Sequence, residues 1–317
     1  MKERYKKYSV YLKEKYGEKV YKLPVNLPIT CPNRDGELSY GGCTFCAEIG
    51  TSFENISDTI NVKNQLLINK RRIGKKYGAK KFIAYFQNFT NTYMPLDVFE
   101  KHLYEACIED IVEISIATRP DCISDDYLEV MNKVSLEKNV NISIELGLQT
   151  INHNTLKKIN RGHTLAELID AVLRIKKYGF IITVHLIANL PWDSTEDFIE
   201  GAKILSALNI DQIKIHSLFI IKGTVMAKQY VNNEFEICSK EEFIERVIKF
   251  IQYTKKNIVF QRFLGRASEN EALFCNWNTS WWKIMNTIDE ILEERDIYQG
   301  EKCNYLNGKA IRKFRVR

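Results

Sequence analysis

The chain has 317 residues, 45% apolar and 27% charged, as expected of a soluble globular protein able to bury a large core, in one domain or one domain with an appendage. The charged, helix-patterned start MKERYKKYSVYLKEKYGEKV lacks the apolar stretch of a signal peptide, and His185 and Asn189 break the most apolar run, GFIITVHLIANLPW, which excludes a membrane span. The net charge of +6 is concentrated in KRRIGKKYGAKK (70–81) and the tail GKAIRKFRVR, which fits either a surface that steers a polyanion such as RNA or plain solvated faces. A cytoplasmic, reducing location is the expectation, and there crowded cysteines point to metal or redox chemistry rather than disulfides.

In chain order, a charged helix leads into a predicted strand at 23–30 and then into ITCPNRDGELSYGGCTFCAEIGTSF (29–53). Cys31, Cys43 and Cys46 stand there in the spacing C-x11-C-x2-C. A closed zinc site wants four ligands and finds three here. Three thiolates on a [4Fe–4S] cluster leave one iron open, and an open iron can bind and reduce a small ligand. A thioredoxin-like pair at Cys43 and Cys46 leaves Cys31 unexplained, and three coincidental core cysteines fit the glycine-rich context poorly. Gly41 and Gly42, with Gly50 beyond, let the backbone turn tightly enough to gather the sulfurs.

Strands are predicted at 81–87, 111–117, 141–148, 180–187 and 211–219. They alternate with helices at 59–77, 96–109, 124–135, 152–160, 164–178 and 195–208. In the helix at 164–178, Leu165, Leu168, Ile169, Val172 and Ile175 make one apolar face and Gly179 a stop. Six strand–helix repeats with nearly all-apolar strands mean parallel strands covered on both sides, in an α/β barrel or a doubly wound sheet. In both, the loops after the strands carry the chemistry, and the cysteine segment is such a loop.

The polar residues at the other strand ends are the remaining candidates. Gln87, Asn88, Thr90 and Asn91 follow the second strand, and Arg119, held extended by Pro120, follows the third. Glu145 lies inside the apolar fourth strand, with Gln149 at its end. If Glu145 faces inward it needs a partner, such as a cofactor ammonium, ribose hydroxyls or Arg119; if outward, a salt bridge at a helix interface. Arg161, Gly162 and His163 precede a helix capped by Thr164. His185 and His216 are either satisfied core residues or, both facing inward, the lining of one cavity. No residue identifies itself as a catalytic acid or base.

Beyond 222 the rhythm stops, leaving helices near 223–231, 240–255 and 280–296 and one possible strand at 257–263. The division expected is a core over 1–222, with the cysteine loop at 31–46, and an extension over 223–317 packed on it. Cys107, Cys122, Cys238, Cys275 and Cys303 lack paired spacing and are expected to be isolated thiols. Cys275 sits in the aromatic ALFCNWNTSWW, a patch of core or interface character.

Three cysteines ending in CTFC after the first strand resemble the cluster motif of the radical S-adenosylmethionine enzymes. The wide first gap resembles the group related to the catalytic subunit of Elongator. YFQNFTNTYMP (85–95), SIATRPDCI (115–123), ELGLQTINHNTLKKINRGHT (145–164), IKIHSLFIIKGTVMAKQY (213–230), FQRFLGRA and TIDEILEERDIYQG extend the resemblance over essentially the whole chain, to the small Elongator-like proteins of about 310 residues. The resemblance implies a partial (β/α)6 TIM-type barrel with a mainly helical C-terminal extension. It implies a [4Fe–4S] cluster on Cys31, Cys43 and Cys46, with S-adenosylmethionine chelating the fourth iron and releasing methionine and a 5′-deoxyadenosyl radical on reduction. By position, Phe45, Gln87, Asn88, Thr90, Asn91, Arg119, Glu145, Gln149 and Arg161 fall to the cofactor, and His185 and His216 to the substrate. One departure is ANLPWDSTEDF, where Asn189 and Trp192 replace glycines of the family's GLPGE, leaving Trp192 as a stacking face. Lys222 and Gly223 are further candidates for shaping the pocket. The implied reaction is remodelling of the C5 side chain of a wobble uridine in tRNA, for example carboxymethylaminomethyl to aminomethyl, with electrons from a flavodoxin- or ferredoxin-type system. A small metabolite or peptide as substrate, and a non-catalytic zinc-bearing RNA-binding protein, are the competing readings.

Overall fold

The structure, a computed structural model, describes residues 3–47, 56–267 and 270–314. Gly50 and the last three residues of the basic tail lie outside them. In chain order the elements are α1 (Tyr8–Tyr16), β1 (Val20–Val25), α2 (Val62–Tyr77), β2 (Lys81–Phe86), α3 (Leu96–Ala106), β3 (Ile111–Thr118), α4 (Asp125–Lys138) and β4 (Asn141–Gln149). There follow α5 (His153–Lys158), α6 (Leu165–Lys176), β5 (Ile181–Ile187), α7 (Thr195–Ala207), β6 (Gln212–His216), β7 (Phe219–Ile221) and α8 (Val225–Val231). The chain then runs through α9 (Lys240–Tyr253), β8 (Val259–Arg262), β9 (Ala272–Cys275) and α10 (Trp281–Glu294).

Seven strands form one parallel sheet in the order β1-β2-β3-β4-β5-β6-β8, curled into a partial TIM-type barrel. The period of two decides its two faces. Leu23, Ala84, Phe86, Ile114, Ile116, Ile144, Leu146, Ile182, Val184, Ile213 and Ile215 point outward and are fully buried against the helices. The burial of each such aliphatic side chain is worth roughly 1.5–3 kcal/mol. The intervening positions point inward, and many are polar: Lys22, Glu113, Ser115, Ser143, Glu145, Thr183, His185, Gln212 and Lys214.

The edge strands β1 and β8 do not pair, and α1 lies against both. The Phe260 amide donates to the Lys6 carbonyl at 2.9 Å, and Leu12 packs on Val20 and Ile83. The helix thereby closes the bottom of the barrel, and Tyr16 donates to Glu113 at 2.6 Å inside it. The first strand starts and ends earlier than the predicted 23–30, because Asn26 breaks the pairing: its amide donates to Gln65 Oε1 of α2 rather than to a neighbouring strand. The run at 211–219 is two strands, since the chain leaves the sheet after His216 and β7 pairs antiparallel with β9. The possible strand at 257–263 is a genuine one and enters the main sheet beside β6.

Candidate active site

The C-terminal ends of the strands open onto a cavity of about 760 Å³. One side of it is the cysteine loop. Its eleven-residue gap folds as a small hairpin, with Asp35 bridged to Tyr40 and the Gly42 amide donating to the Asn33 carbonyl at 2.8 Å. Gly41 and Gly42 turn the chain at φ +77° and +84°, a conformation that side chains rarely adopt. The loop is tied across the barrel rather than to its own strand. The Thr44 amide donates to the Ile159 carbonyl at 3.0 Å, the Met226 amide to Thr44 at 2.8 Å, and Asn160 to Gly42 at 2.9 Å.

Cys31, Cys43 and Cys46 line this cavity as thiols. Burial pushes the Cys46 thiol up to about 11, reinforced by Cys43. Donors aim at the sulfurs: Arg161 Nη1 and Asn33 Nδ2 at 3.5 and 3.6 Å from Cys43, and Arg34 Nη1 at 3.4 Å from Cys46. This donor set suits thiolates bound to iron, since it compensates their charge. Among the described residues no three Cys, His, Asp or Glu side chains enclose a single ion. A cluster places its thiolates on separate irons, and three cysteines lining one cavity with donors aimed at two of their sulfurs fit such a group.

Arg161 is fixed on three sides. Its Nε donates to His163 at 2.8 Å and its Nη2 to the Gly147 carbonyl at 2.6 Å. Burial, with the fields of Arg161 and Arg119, holds His163 down at about 3, so it stays neutral and accepts. A side chain at position 147 would meet Arg161 Nη2 at 2.8 Å, which explains the glycine. Thr164 caps α6 in a capping box with Glu167, as its sequence predicts.

The other side of the cavity is cationic. Glu145 faces inward, fully buried, and its partners are Lys22, Lys214 at 3.0 Å, His185 at 2.7 Å, Tyr85 at 2.9 Å and Ser115 at 3.2 Å. Despite burial, the two lysines and His185 hold its carboxyl well below the ordinary range. Burial and the Lys22 ammonium bring Lys214 down to about 7 against the pull of Glu145. Burial and Lys214 bring His185 down to about 4, so its Nε2–H is the donor to Glu145. Lys214 also donates to the Tyr85 hydroxyl at 2.7 Å, and Lys22 reaches Gln261 of β8 at 3.1 Å, spanning the open edge.

Several expectations resolve here. Gln87, Thr90, Arg119, Glu145, Gln149 and Phe45 line the cavity, and so do His185 and His216, whose rings are 5.3 Å apart. Arg119 is not the partner of Glu145: it forms a fork with Asp121 at 2.8 and 2.7 Å. Asn88 and Asn91 are buried behind the wall. Asn91 donates to the carbonyls of Phe86, Asn88 and Ala117, and Asn88 to Asn26, so both brace the loop. Trp192 packs on Phe235 in a separate cluster and does not line the cavity, and Asn189 accepts from the Leu218 amide at 2.7 Å. Lys222 reaches the Asn270 carbonyl, and neither it nor Gly223 lines the cavity. The basic segment at 70–81 does not border it, Lys70 pairing with Asp110 at 2.8 Å and Lys81 with Glu18 at 3.5 Å at the opposite end of the strands, and none of the described residues of the tail lines it.

Sequence reasoning missed Lys22, Tyr85, Lys214 and Arg262. The signal was present in VYKLPV and QIKIH, where a lysine interrupts an apolar strand as Glu145 does, so that the opposite charges could have been paired. The hairpin donors Asn33 and Arg34 carry no such mark.

A model of the radical SAM superfamily matches residues 37–205, and one of a Radical_SAM C-terminal domain matches 210–294. YtqA of Bacillus subtilis is 34% identical over 94% of this chain and 92% of its own. A tRNA uridine(34) acetyltransferase of Methanocaldococcus infernus is 31% identical over 42% of this chain and 25% of its own. Among solved structures, Elp3 of the same archaeon covers 88% of this chain with 64% of its own at a TM-score of 0.65 and 18% identity. The chain therefore belongs to the radical S-adenosylmethionine superfamily, in the family of YtqA, and shares its fold with Elp3. It is an enzyme, and its cofactors are a [4Fe–4S] cluster and S-adenosylmethionine.

Proposed function

We propose that this enzyme modifies tRNA at the C5 side chain of a wobble uridine, with conversion of carboxymethylaminomethyl to aminomethyl as the specific reaction. The observation that carries the reading is the pairing of a cysteine loop and a cationic wall across one open cavity. A base side chain presented by an RNA loop can enter such a cavity while the phosphates stay at its rim. The relative named for uridine 34 of tRNA supports the same substrate class.

In this reading Cys31, Cys43 and Cys46 hold the cluster, and Asn33, Arg34 and Arg161 steady their sulfurs. Phe45, Gln87, Thr90, Gln149 and Arg119 surround S-adenosylmethionine, with Asn88 and Asn91 fixing the loop that carries Gln87 and Thr90. When bound, cluster and S-adenosylmethionine would supply a 5′-deoxyadenosyl radical able to take hydrogen from the carboxymethyl carbon, so that with S-adenosylmethionine as the two-electron oxidant and water as oxygen source the fragment would leave as glyoxylate and the amine remain. His185 and His216 face the substrate, and the closed barrel bottom excludes water from beneath. A flavodoxin- or ferredoxin-type protein delivers the electron.

The test is anaerobic reconstitution, dithionite reduction with S-adenosylmethionine and tRNA bearing the carboxymethylaminomethyl group, and chromatography of 5′-deoxyadenosine and digested nucleosides. Aminomethyluridine formed by the wild type and not by Cys43→Ala supports the reading. 5′-Deoxyadenosine without any change in the nucleosides sinks the tRNA substrate and leaves the radical enzyme. The position of the basic segment at 70–81 at the other end of the strands favours a second reading, a small metabolite. It predicts RNA binding with a shallow salt dependence, where phosphate contacts impose a steep one.

A further inference from the structure

The cationic side of the cavity carries more positive charge than its own residues use. Lys214, Arg262 and Arg266 line it on the side of Glu145, the one carboxylate among the described lining residues, and Lys22 pairs with Glu145 from behind the wall. Glu145 is fully engaged by Lys22, Lys214, His185, Tyr85 and Ser115. Among the described residues the contacts of the two arginines are uncharged. Arg262 Nη2 lies 2.8 Å from Nδ1 of His216, a ring kept neutral by burial and by Arg262 itself, and the Arg266 guanidinium lies 4.2 Å over the ring of Trp281. A guanidinium in a cavity wall without an anion of its own is a fork awaiting one.

We propose that Arg262, held in place by His216 and backed by Lys214, is the anchor for a carboxylate carried by the substrate. The anion is a carboxylate rather than a backbone phosphate because the fork, exposed at the end of β8 where it lines the cavity, stands in register with the buried Lys214, and a terminal carboxylate can reach between the two where a phosphodiester linked on both sides cannot. It belongs to the substrate rather than to S-adenosylmethionine because Arg262 and Lys214 come from β8 and β6, whereas the cysteine loop is tied to the segment after β4 and to α8. The inference rests on the wobble-uridine reading in one respect: a carboxymethyl group supplies such a carboxylate. The enzyme would then recognise the group to be removed, and the aminomethyl product, which lacks it, would leave.

The experiment uses the cluster-loaded enzyme with S-adenosylmethionine and two probes, N-benzylglycine and benzylamine, followed by calorimetry. The wild type is expected to prefer N-benzylglycine at least tenfold and Arg262→Gln to lose that preference. Arg262→Lys, which keeps the charge without the fork, should fall between them. With tRNA, His216→Leu should raise KM at unchanged kcat, and His216→Gln, which restores an acceptor, should recover most of it; this marks His216 as a positioning residue. Equal binding of both probes by the wild type overturns the proposal. So does loss of S-adenosylmethionine binding in Arg262→Gln and Arg262→Lys, which would assign the fork to the cofactor. A wild type that prefers N-benzylglycine but leaves the tRNA nucleosides unchanged upholds the anchor and defeats the tRNA reading.

Discussion

The cysteine side of the cavity draws its three sulfurs from one continuous loop, Cys31 to Cys46, whereas the cationic side draws Lys22, Tyr85, Glu145, His185, Lys214 and Arg262 from six strands. The first is a local motif that the barrel merely positions. The second exists only because the sheet curls until side chains of β1 and β8 meet over Glu145. The two sides should therefore fail differently, the one by losing cofactor chemistry and the other by losing stability and substrate.

The sharpest contrast comes from one substitution on each side. Cys43→Ala should reduce cluster absorbance and 5′-deoxyadenosine formation to background while the apoprotein melts like the wild type. Glu145→Gln should destabilise the fold by about 3–5 kcal/mol in urea unfolding, because it strands two lysines around a neutral amide. Adding Lys214→Met to that variant should recover part of the loss. Were Glu145→Gln as stable as the wild type, the network would be dispensable and the comparison would collapse.

Smaller effects sharpen it. Arg161→Gln removes a donor from Cys43 and should speed iron loss to a chelator about tenfold, as expected of groups that steady metal ligands. On the cationic side the reporter is pH. Because Lys214 is lowered to about 7 in the folded protein against 10.5 in the unfolded chain, the unfolded chain holds an extra proton between these values. This contribution to stability therefore rises with pH across that window, having been fully unfavourable below it. Lys214→Met should flatten that part of the pH profile of thermal unfolding. Smallest of all, Arg71→Gln and Lys75→Gln on α2 should change tRNA modification less than twofold, since that helix end lies at the bottom of the barrel. A tenfold loss there would mean that RNA wraps the whole barrel.

The helices were legible because their apolar faces repeat at 3.6 residues. The capping of α6 by Thr164 and the gathering of three cysteines at one cavity needed only local spacing. Asn88 and Asn91 misled because a polar run after a strand reads the same whether it braces the loop or faces the cavity. Trp192 misled in the same way, its ring turned into a neighbouring apolar cluster. β8 was faint because the pattern of a short strand after a long helical stretch does not reveal which sheet it joins.

By itself, then, the sequence determined the alternation of strands and helices, the inward placement open to Glu145, and the triad of thiols, since each depends on residues within a few turns of chain. The tertiary structure alone decided which partners Glu145 has, which arginine has no carboxylate partner among the described residues, and that the basic run at 70–81 lies at the other end of the strands from the cavity. Those are matters of which strand edges meet and which end of the barrel a helix reaches, and contacts between residues as distant as Lys22 and Gln261 leave no periodicity in the chain.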